Sequence, residues 1–115
     1  MTQPPPFQLQ RPAFSEVTRR ILSVSDPTQI IVFGSHARGD EKIGSNLDIL
    51  VVLDGIESTH AESIRLRREL RDLMYPIDII VTTPQQLARY QNIQGLIYQS
   101  AINDGIVIYE RSSAS

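Results

Sequence analysis

Two segments, FGSHARG at residues 33–39 and SNLDILVV at residues 45–52, carry most of the structural information in this sequence. Residues 29–33 are a short run of β-branched and aromatic side chains, which predicts a buried strand that ends at Gly34. The next four residues leave room for a helical turn before a second glycine stops it. Residues 47–53 give the clearest strand pattern of the chain. We therefore expect two strands joined through a tight turn, a short helix and a loop.

Outside these segments, helical and strand periodicities alternate along the chain. The elements predicted there are helix 15–24, a helix from Thr59 that ends at Pro76, strand 77–81, helix 84–100 with a break near Asn92, and strand 106–109. Interleaved helices and strands are typical of the α/β or α+β class, here a small mixed β-sheet flanked by helices.

Local signals mark the ends of several of these elements. Ser15 is placed to cap the first long helix, and Thr59 with Glu62 three residues later forms a capping box. The polar segment at residues 103–105 (Asn-Asp-Gly) predicts a turn before the last strand.

Composition and charge exclude several classes of protein. The 115 residues are 41% hydrophobic, which fits one globular domain, expected at 13–110 between a proline-rich tail at 1–12 and a polar tail at 111–115. A net charge of −2 argues against general nucleic-acid binding, and the absence of cysteine excludes disulfides and thiolate chemistry. No apolar run approaches the roughly 20 residues of a membrane helix. The first residues lack the pattern of a secretory signal, so we expect a cytoplasmic protein.

The turn at Gly34 and Ser35 is the first candidate site. Glycine permits a tight turn, and the free N–H groups at a helix start attract phosphate. Taken alone, the turn is explained as well by a plain strand-to-helix junction with Ser35 as its cap.

Two oxygen-bearing side chains enter the second strand, and a third interrupts a later one. The period of a strand places Asn46 and Asp48 on one face, where they can share a divalent cation such as Mg²⁺. Asp78 lies within the apolar run IDIIV at residues 77–81, and a carboxylate there needs a partner, a metal or solvent. Each aspartate taken singly has a simpler explanation: Asp48 could be a turn residue at the start of a strand, and Asp78 could face solvent.

Together the features form a spaced pattern. Ten residues separate Ser35 from Asn46, one residue separates Asn46 from Asp48, and Asp78 follows on a later strand. This pattern, with the strings FGSHARG and SNLDILVV, resembles the polymerase-beta-like nucleotidyltransferase superfamily, and within it the minimal nucleotidyltransferase (MNT) domains. The resemblance runs from about residue 15 to residue 110 and implies a nucleotidyltransferase-like fold.

The resemblance also implies a role for each residue. Gly34 and Ser35 would meet the triphosphate of ATP, and Arg38 would reach a phosphate unless it is simply a solvated cation at the helix end. Asp48, Asp78 and position 46 would hold two Mg²⁺ ions, with Asp78 nearest the attacking hydroxyl.

Position 46 departs from the family pattern, which calls for aspartate where this chain has Asn46. Asparagine keeps one carbonyl oxygen but loses the negative charge, so we expect weaker metal binding. The site then either works with two carboxylates or is retained for its shape alone. An engineered substitution is a further explanation. Asp40 and Glu41 lie nearby in the sequence, but no spacing argument places them at the metals.

The remaining polar and aromatic residues suggest no second site. His36 and His60 are expected at the surface, and the arginines of residues 65–71 either form a solvated helix face or meet an acidic partner. The four tyrosines are scattered, which favours packing over base stacking.

Minimal domains like this one resemble the antitoxin half of two-gene toxin–antitoxin modules. The resemblance therefore implies a HEPN-type toxin as partner, and a homo- or hetero-oligomer. The expected activity is Mg²⁺-dependent transfer of AMP from ATP to a hydroxyl, such as a toxin tyrosine. The main alternative is a catalytically degenerate module that neutralises its partner by docking. Transfer to a small molecule such as an antibiotic ranks lower, because little chain is left for an acceptor domain.

Overall fold

The computed structural model describes residues 11–90, 92–93 and 97–112. Most of the proline-rich segment 1–12 and the last three residues lie outside this part. The elements in chain order are α1 (Phe14–Val24), β1 (Gln29–Phe33), α2 (Ser35–Arg38), β2 (Leu47–Val52), α3 (Thr59–Leu70), a 3₁₀ turn (Arg71–Leu73), β3 (Ile77–Thr82), α4 (Pro84–Tyr90), α5 (Ile97–Asp104) and β4 (Ile106–Glu110).

The four strands form one mixed sheet in the order β3-β2-β1-β4. Strand β1 runs antiparallel to both β2 and β4, and β2 runs parallel to β3. The predicted class, a small mixed sheet flanked by helices, is therefore confirmed. The parallel pair matters most for function, because it brings Asp48 directly opposite Asp78.

The two faces of the sheet carry cores of different size. Alternate residues of β2, namely Leu47, Ile49 and Val51, pack with α1 and α3 in the larger core. The opposite face holds a smaller core, in which Leu50 and Phe33 lie with residues of α4 and α5. Since side chains alternate along a strand, Asp48 shares a face with Leu50 rather than with the larger core.

Among the described residues, strand β3 lies at one edge of the sheet and has no neighbouring strand on its outer side. The Arg67 guanidinium donates to the carbonyl of Ile79 at 3.4 Å, so an α3 side chain covers part of this edge. A charged side chain over a free edge discourages pairing with another chain.

The helix caps differ from those predicted. Ala13 occupies the N-cap of α1 and makes no side-chain cap, so the prediction for Ser15 is wrong. In α3 the cap is Ser58, whose hydroxyl accepts from the Ala61 amide at 3.1 Å, and Thr59 is already the first helical residue. The observed cap lies two residues before the predicted one in α1 and one residue before it in α3.

The region around α5 agrees with one prediction and differs from another. The break predicted near Asn92 is confirmed, because α4 ends at Tyr90 and α5 begins at Ile97. Asn103 and Asp104 belong to the last turn of α5 rather than to a free turn. Gly105 follows because a Cβ there would lie 2.1 Å from the Ala101 carbonyl oxygen.

Arg111, the first residue after β4, is attached to the domain. Its amide donates to the Thr28 carbonyl at 2.9 Å, and its guanidinium contacts the Asp26 carboxylate at 3.0 Å.

Among the described residues, none of the helices has the length and apolar character needed to cross a bilayer.

Candidate active site

Gly34 connects β1 to α2 in a conformation that other residues avoid. Its φ of 75° and ψ of −153° lie in a region populated almost only by glycine. A Cβ at this position would stand 2.4 Å from Oδ2 of Asp48. Glycine is therefore required twice, for the turn and for the close approach of the Asp48 carboxylate.

Helix α2 consists of a single turn that begins at Ser35. The amides of Ala37 and Arg38 donate to the Gly34 carbonyl at 3.1 Å, which leaves the first amides of the helix without helical partners. Gly34 occupies the N-cap position and no side chain caps the helix, so the interpretation of Ser35 as a cap is wrong. Ser35 instead lies at the start of the helix, next to the Gly34–Asp48 contact.

Asp48 and Asp78 are neighbours on the parallel strands β2 and β3. Asp48 is also paired in register with Phe33 of β1, and this pairing brings it against the adjacent Gly34. Asp78 is exposed and Asp48 is half-buried. The sheet therefore gathers both predicted carboxylates beside the predicted phosphate turn.

The electrostatic state of Asp48 reflects this crowding. Partial burial, and next the negative charge of Asp78, raise the pKa of the Asp48 carboxyl above its ordinary value. The positive charge of Arg38 acts in the opposite direction with smaller effect. A site with this balance favours a bound cation, because a cation relieves the repulsion between the two carboxylates.

Asn46 also reaches this group, but as a donor. Its side-chain Nδ2 donates to Oδ2 of Asp78 at 2.7 Å. An aspartate at position 46 would have no proton to donate at neutral pH and would repel Asp78. The amide of Asn46 thus holds one of the two carboxylates through a hydrogen bond without adding charge to the site.

Arg38 lies at the exposed end of α2, with its Nε 3.1 Å from the Asp40 carboxylate. Asp40 is therefore paired with this cation, and Glu41 lies exposed in the same loop. An exposed arginine one turn from Ser35 can exchange an aspartate for a phosphate at little cost, since surface ion pairs contribute little.

The chemistry of the donors fits a hard divalent cation. Among the described residues, no three His, Cys, Asp or Glu side chains gather as a metal site. The available oxygen donors are the carboxylates of Asp48 and Asp78 and the carbonyl of Asn46. Phosphate oxygens of a bound substrate would supply further ligands. Carboxylate and carbonyl oxygens suit Mg²⁺, which usually retains waters and substrate phosphates as further ligands.

The prediction that His36 lies at the surface is wrong. Its side chain is 5% exposed, and its ring lies edge-on to Tyr75 with 5.8 Å between the centroids. A helix of four residues has too few positions for a periodicity to show which side faces inward. His60 is exposed, as predicted.

Two arginines of α3 contact other parts of the protein and do not simply face solvent. Arg65 pairs with Glu62 and donates to the Val24 carbonyl, while Arg67 reaches strand β3.

Tyr90 and Tyr98 stack with 6.1 Å between their rings and join α4 to α5, which confirms the packing role predicted for these two tyrosines.

A groove of about 450 Å³ lies between the end of α3 and strand β3, with Arg67 and Met74 in its wall. Its β3 residues, Ile77 and Ile79, alternate with Asp78 and face the other side of the sheet. The groove therefore does not belong to the carboxylate site.

The family described as "Polymerase beta, Nucleotidyltransferase" matches residues 16–114. No curated protein sequence gives a significant match.

Three solved structures with the same fold illustrate the similarity. A protein from Sulfolobus solfataricus assigned as a nucleotidyltransferase is 24% identical, with a TM-score of 0.58 over 84% of this chain and 76% of that one. A toxin–antitoxin complex with AMP-PNP contains a chain 17% identical, with a TM-score of 0.60 over 84% and 73%. A complex of tri-AMPylated Shewanella oneidensis HEPN toxin with MNT antitoxin contains one 12% identical, with a TM-score of 0.57 over 85% and 70%.

At these identities the solved structures establish a shared fold, and the family match covers most of the sequence. The glycine turn and the carboxylate pair lie within the matched residues. The chain therefore belongs to the polymerase beta nucleotidyltransferase family.

Proposed function

We propose that this protein is the antitoxin of a toxin–antitoxin module and transfers AMP from ATP to a tyrosine hydroxyl of a HEPN toxin in the cytoplasm. The observation that carries the proposal is the approach of the Asp48 carboxylate to Gly34, with Asp78 beside it on the next strand. A phosphate turn and a carboxylate pair at one place are what nucleotidyl transfer needs.

The side chains divide the reaction between them. Gly34 and Ser35 receive the triphosphate through the free amides of α2, and Arg38 supports it from the end of the same turn. The acceptor hydroxyl oxygen attacks the α-phosphorus of ATP, the bond from that phosphorus to the bridging oxygen breaks, and pyrophosphate leaves. Asp78, the more exposed carboxylate, accepts the hydroxyl proton.

Asp48 and Asp78, with the Asn46 carbonyl, would hold magnesium. Two Mg²⁺ ions supply charge neutralisation and alignment for an in-line displacement when bound. Asn46 has to turn its carbonyl toward such an ion, which breaks its hydrogen bond to Asp78. We therefore expect weaker metal binding than an aspartate would give.

The structural neighbours favour the choice of partner and group. One neighbour is a complex of an AMPylated HEPN toxin with an MNT antitoxin, and another is a toxin–antitoxin complex with AMP-PNP. Both share the fold of this chain, which makes a HEPN partner and an adenine nucleotide the first pair to test.

A second candidate function is neutralisation by docking alone. Its support is the hydrogen bond from Asn46 to Asp78, which keeps the site together without a metal. Under this alternative, the protein silences its partner without chemistry.

One experiment separates the two functions. The protein is incubated with its HEPN partner, labelled ATP and Mg²⁺, and the partner is examined by mass spectrometry for the gain of one AMP. We expect AMP on a tyrosine, and its loss in Asp48→Ala and Asp78→Ala variants that remain folded. No transfer by the natural chain, together with transfer by Asn46→Asp, would show that the natural chain is not the catalyst.

Neutralisation by the two alanine variants provides the complementary result. If they still silence the toxin when no AMP is transferred, docking suffices and the catalytic proposal fails as the explanation of neutralisation. If they lose neutralisation while still binding the partner, docking alone is excluded.

A further inference from the structure

His36 is a buried polar side chain whose position the proposed chemistry does not explain. It follows Ser35 in α2 and is 5% exposed. Its Nε2 lies 3.2 Å from the hydroxyl oxygen of Tyr75 and 3.4 Å from the carbonyl oxygen of Ser45. Its Nδ1 is buried and has no hydrogen-bond partner among the described residues.

These contacts connect the three segments that form the site. His36 belongs to the helix that begins at the phosphate turn, Ser45 directly precedes Asn46, and Tyr75 lies three residues before Asp78. The Leu47 amide donates to the Pro76 carbonyl at 2.8 Å, so the second and third segments are also bonded to each other. The imidazole therefore lies where all three segments meet.

A purely packing role does not account for a histidine at this place. A carbonyl oxygen only accepts, so a bond to Ser45 requires the proton on Nε2 and leaves the Nδ1 lone pair buried and unmatched. An unmatched buried polar atom lowers stability, whereas an apolar side chain of similar shape has no such cost. Since an apolar side chain would fill the same space without this cost, the polar contacts of His36 indicate a role beyond packing.

We propose that His36 is a positioning residue, which fixes the phosphate turn relative to the Asn46–Asp48 and Asp78 segments through Ser45 and Tyr75. The proposal rests on the proposed function as far as nucleotide binding is concerned. Its structural part, the coupling of the three segments, stands independently and is tested separately.

The test compares four variants with the wild type. His36→Phe fills the space and removes both polar contacts, whereas His36→Gln keeps an amide nitrogen close to the place of Nε2. Tyr75→Phe removes one hydroxyl only. Ser63→Ala, which removes a buried hydroxyl bonded to the His60 carbonyl in α3, is the matched control away from the site.

The first readout is the Kd of ATP with Mg²⁺ by calorimetry, on protein shown to be folded. We expect about tenfold weaker binding for His36→Phe, a smaller loss for Tyr75→Phe, and values within about threefold of wild type for His36→Gln and Ser63→Ala. Wild-type affinity in His36→Phe, or equal losses in His36→Phe and Ser63→Ala, would overturn the proposal.

The second readout is amide hydrogen exchange without nucleotide. His36→Phe is expected to speed exchange at residues 45–48 and 77–78, and Ser63→Ala is expected to leave these amides unchanged. Unchanged exchange in His36→Phe contradicts the coupling. A wild type that shows no ATP binding contradicts the proposed function instead, and the exchange result then still decides the role of His36.

Discussion

Gly34 is the residue on which the geometry of the site depends most. Its backbone conformation is one that side chains strain, and the space for a Cβ is taken by the Asp48 carboxylate. Either constraint alone favours glycine. Together they mean that a side chain at position 34 would disturb both the turn and the position of the Asp48 carboxylate on strand β2.

Gly34→Ala is therefore expected to destabilise the fold by about 3 kcal/mol or more, since backbone strain and steric overlap act together. Gly55→Ala is the matched control, because Gly55 has a φ of 69° but, apart from its two chain neighbours, no described residue has an atom within 4 Å of the place that its Cβ would take. The control is expected to cost about 1 kcal/mol. Urea unfolding measures both, and equal losses would show that the contact with Asp48 is unimportant.

Asp48 is expected to make stability depend on pH. Burial and Asp78 raise its pKa in the folded protein above 3.8, so the folded state holds this proton more tightly than the unfolded chain does. The contribution of Asp48 to stability is therefore fully present below pH 3.8 and is lost as the pH rises through the raised pKa.

Asp48→Asn removes that dependence. The variant is expected to be more stable than the wild type at neutral pH. The gain is expected to vanish well below pH 3.8, where the side chain at position 48 is uncharged in the wild type as well as in the variant. Urea unfolding at the two pH values measures the gain. A variant less stable than wild type at neutral pH would contradict the assigned repulsion.

The helices α1 and α3 support the site by closing the larger core from one side. Leu66 of α3 is fully buried there, while Ile64 on the same helix is 38% exposed. Leu66→Ala is expected to cost about 2–5 kcal/mol, and Ile64→Ala less than about 1.5 kcal/mol. Thermal or urea unfolding compares them, and similar costs would contradict the packing described.

An ion-pair network joins α1 to the 3₁₀ turn that follows α3. Glu16 accepts from Arg19 and Arg20, and Arg20 also pairs with Asp72 beyond α3. Hydrogen bonds from Arg19, and next from Arg20, lower the pKa of Glu16 from 4.5 to about 2.

Glu16→Gln is expected to lower stability above pH 4.5, where the carboxylate is charged in both states, by the modest amount typical of surface pairs. Since the folded pKa is depressed, the difference from wild type shrinks as the pH falls toward 2. Unfolding across this range measures it. A difference that is independent of pH and of added salt would count against the network.

Element types were predictable from the sequence because each strand is a compact apolar run and each turn has a clear breaker. Strand β1 and helix α2 have the predicted bounds, and the other strands differ by about one residue. The caps at Ala13 and Ser58 were missed, because which side chain bonds a helix amide depends on where the chain enters the helix.

For the molecule as a whole, the resemblance to MNT domains, carried by the spacing of Gly34, Ser35, Asp48 and Asp78, led to the prediction that these residues lie together. The parallel register of β2 and β3, which brings the aspartates side by side, is a tertiary fact that local patterns do not contain. The same limit applies to His36, whose burial depends on Ser45 and Tyr75 from distant parts of the chain.

The central claim is that the Gly34 turn and the two aspartates form one site for a magnesium–nucleotide complex. Calorimetric or thermal-shift titration with ATP, with and without Mg²⁺, tests it most directly. At a concentration of ATP about 100 times Kd, we expect stabilisation of about 2.7 kcal/mol that requires Mg²⁺ and is lost in both Asp48→Asn and Asp78→Asn. Stabilisation that is absent from the wild type, or that survives in either variant, would contradict the account.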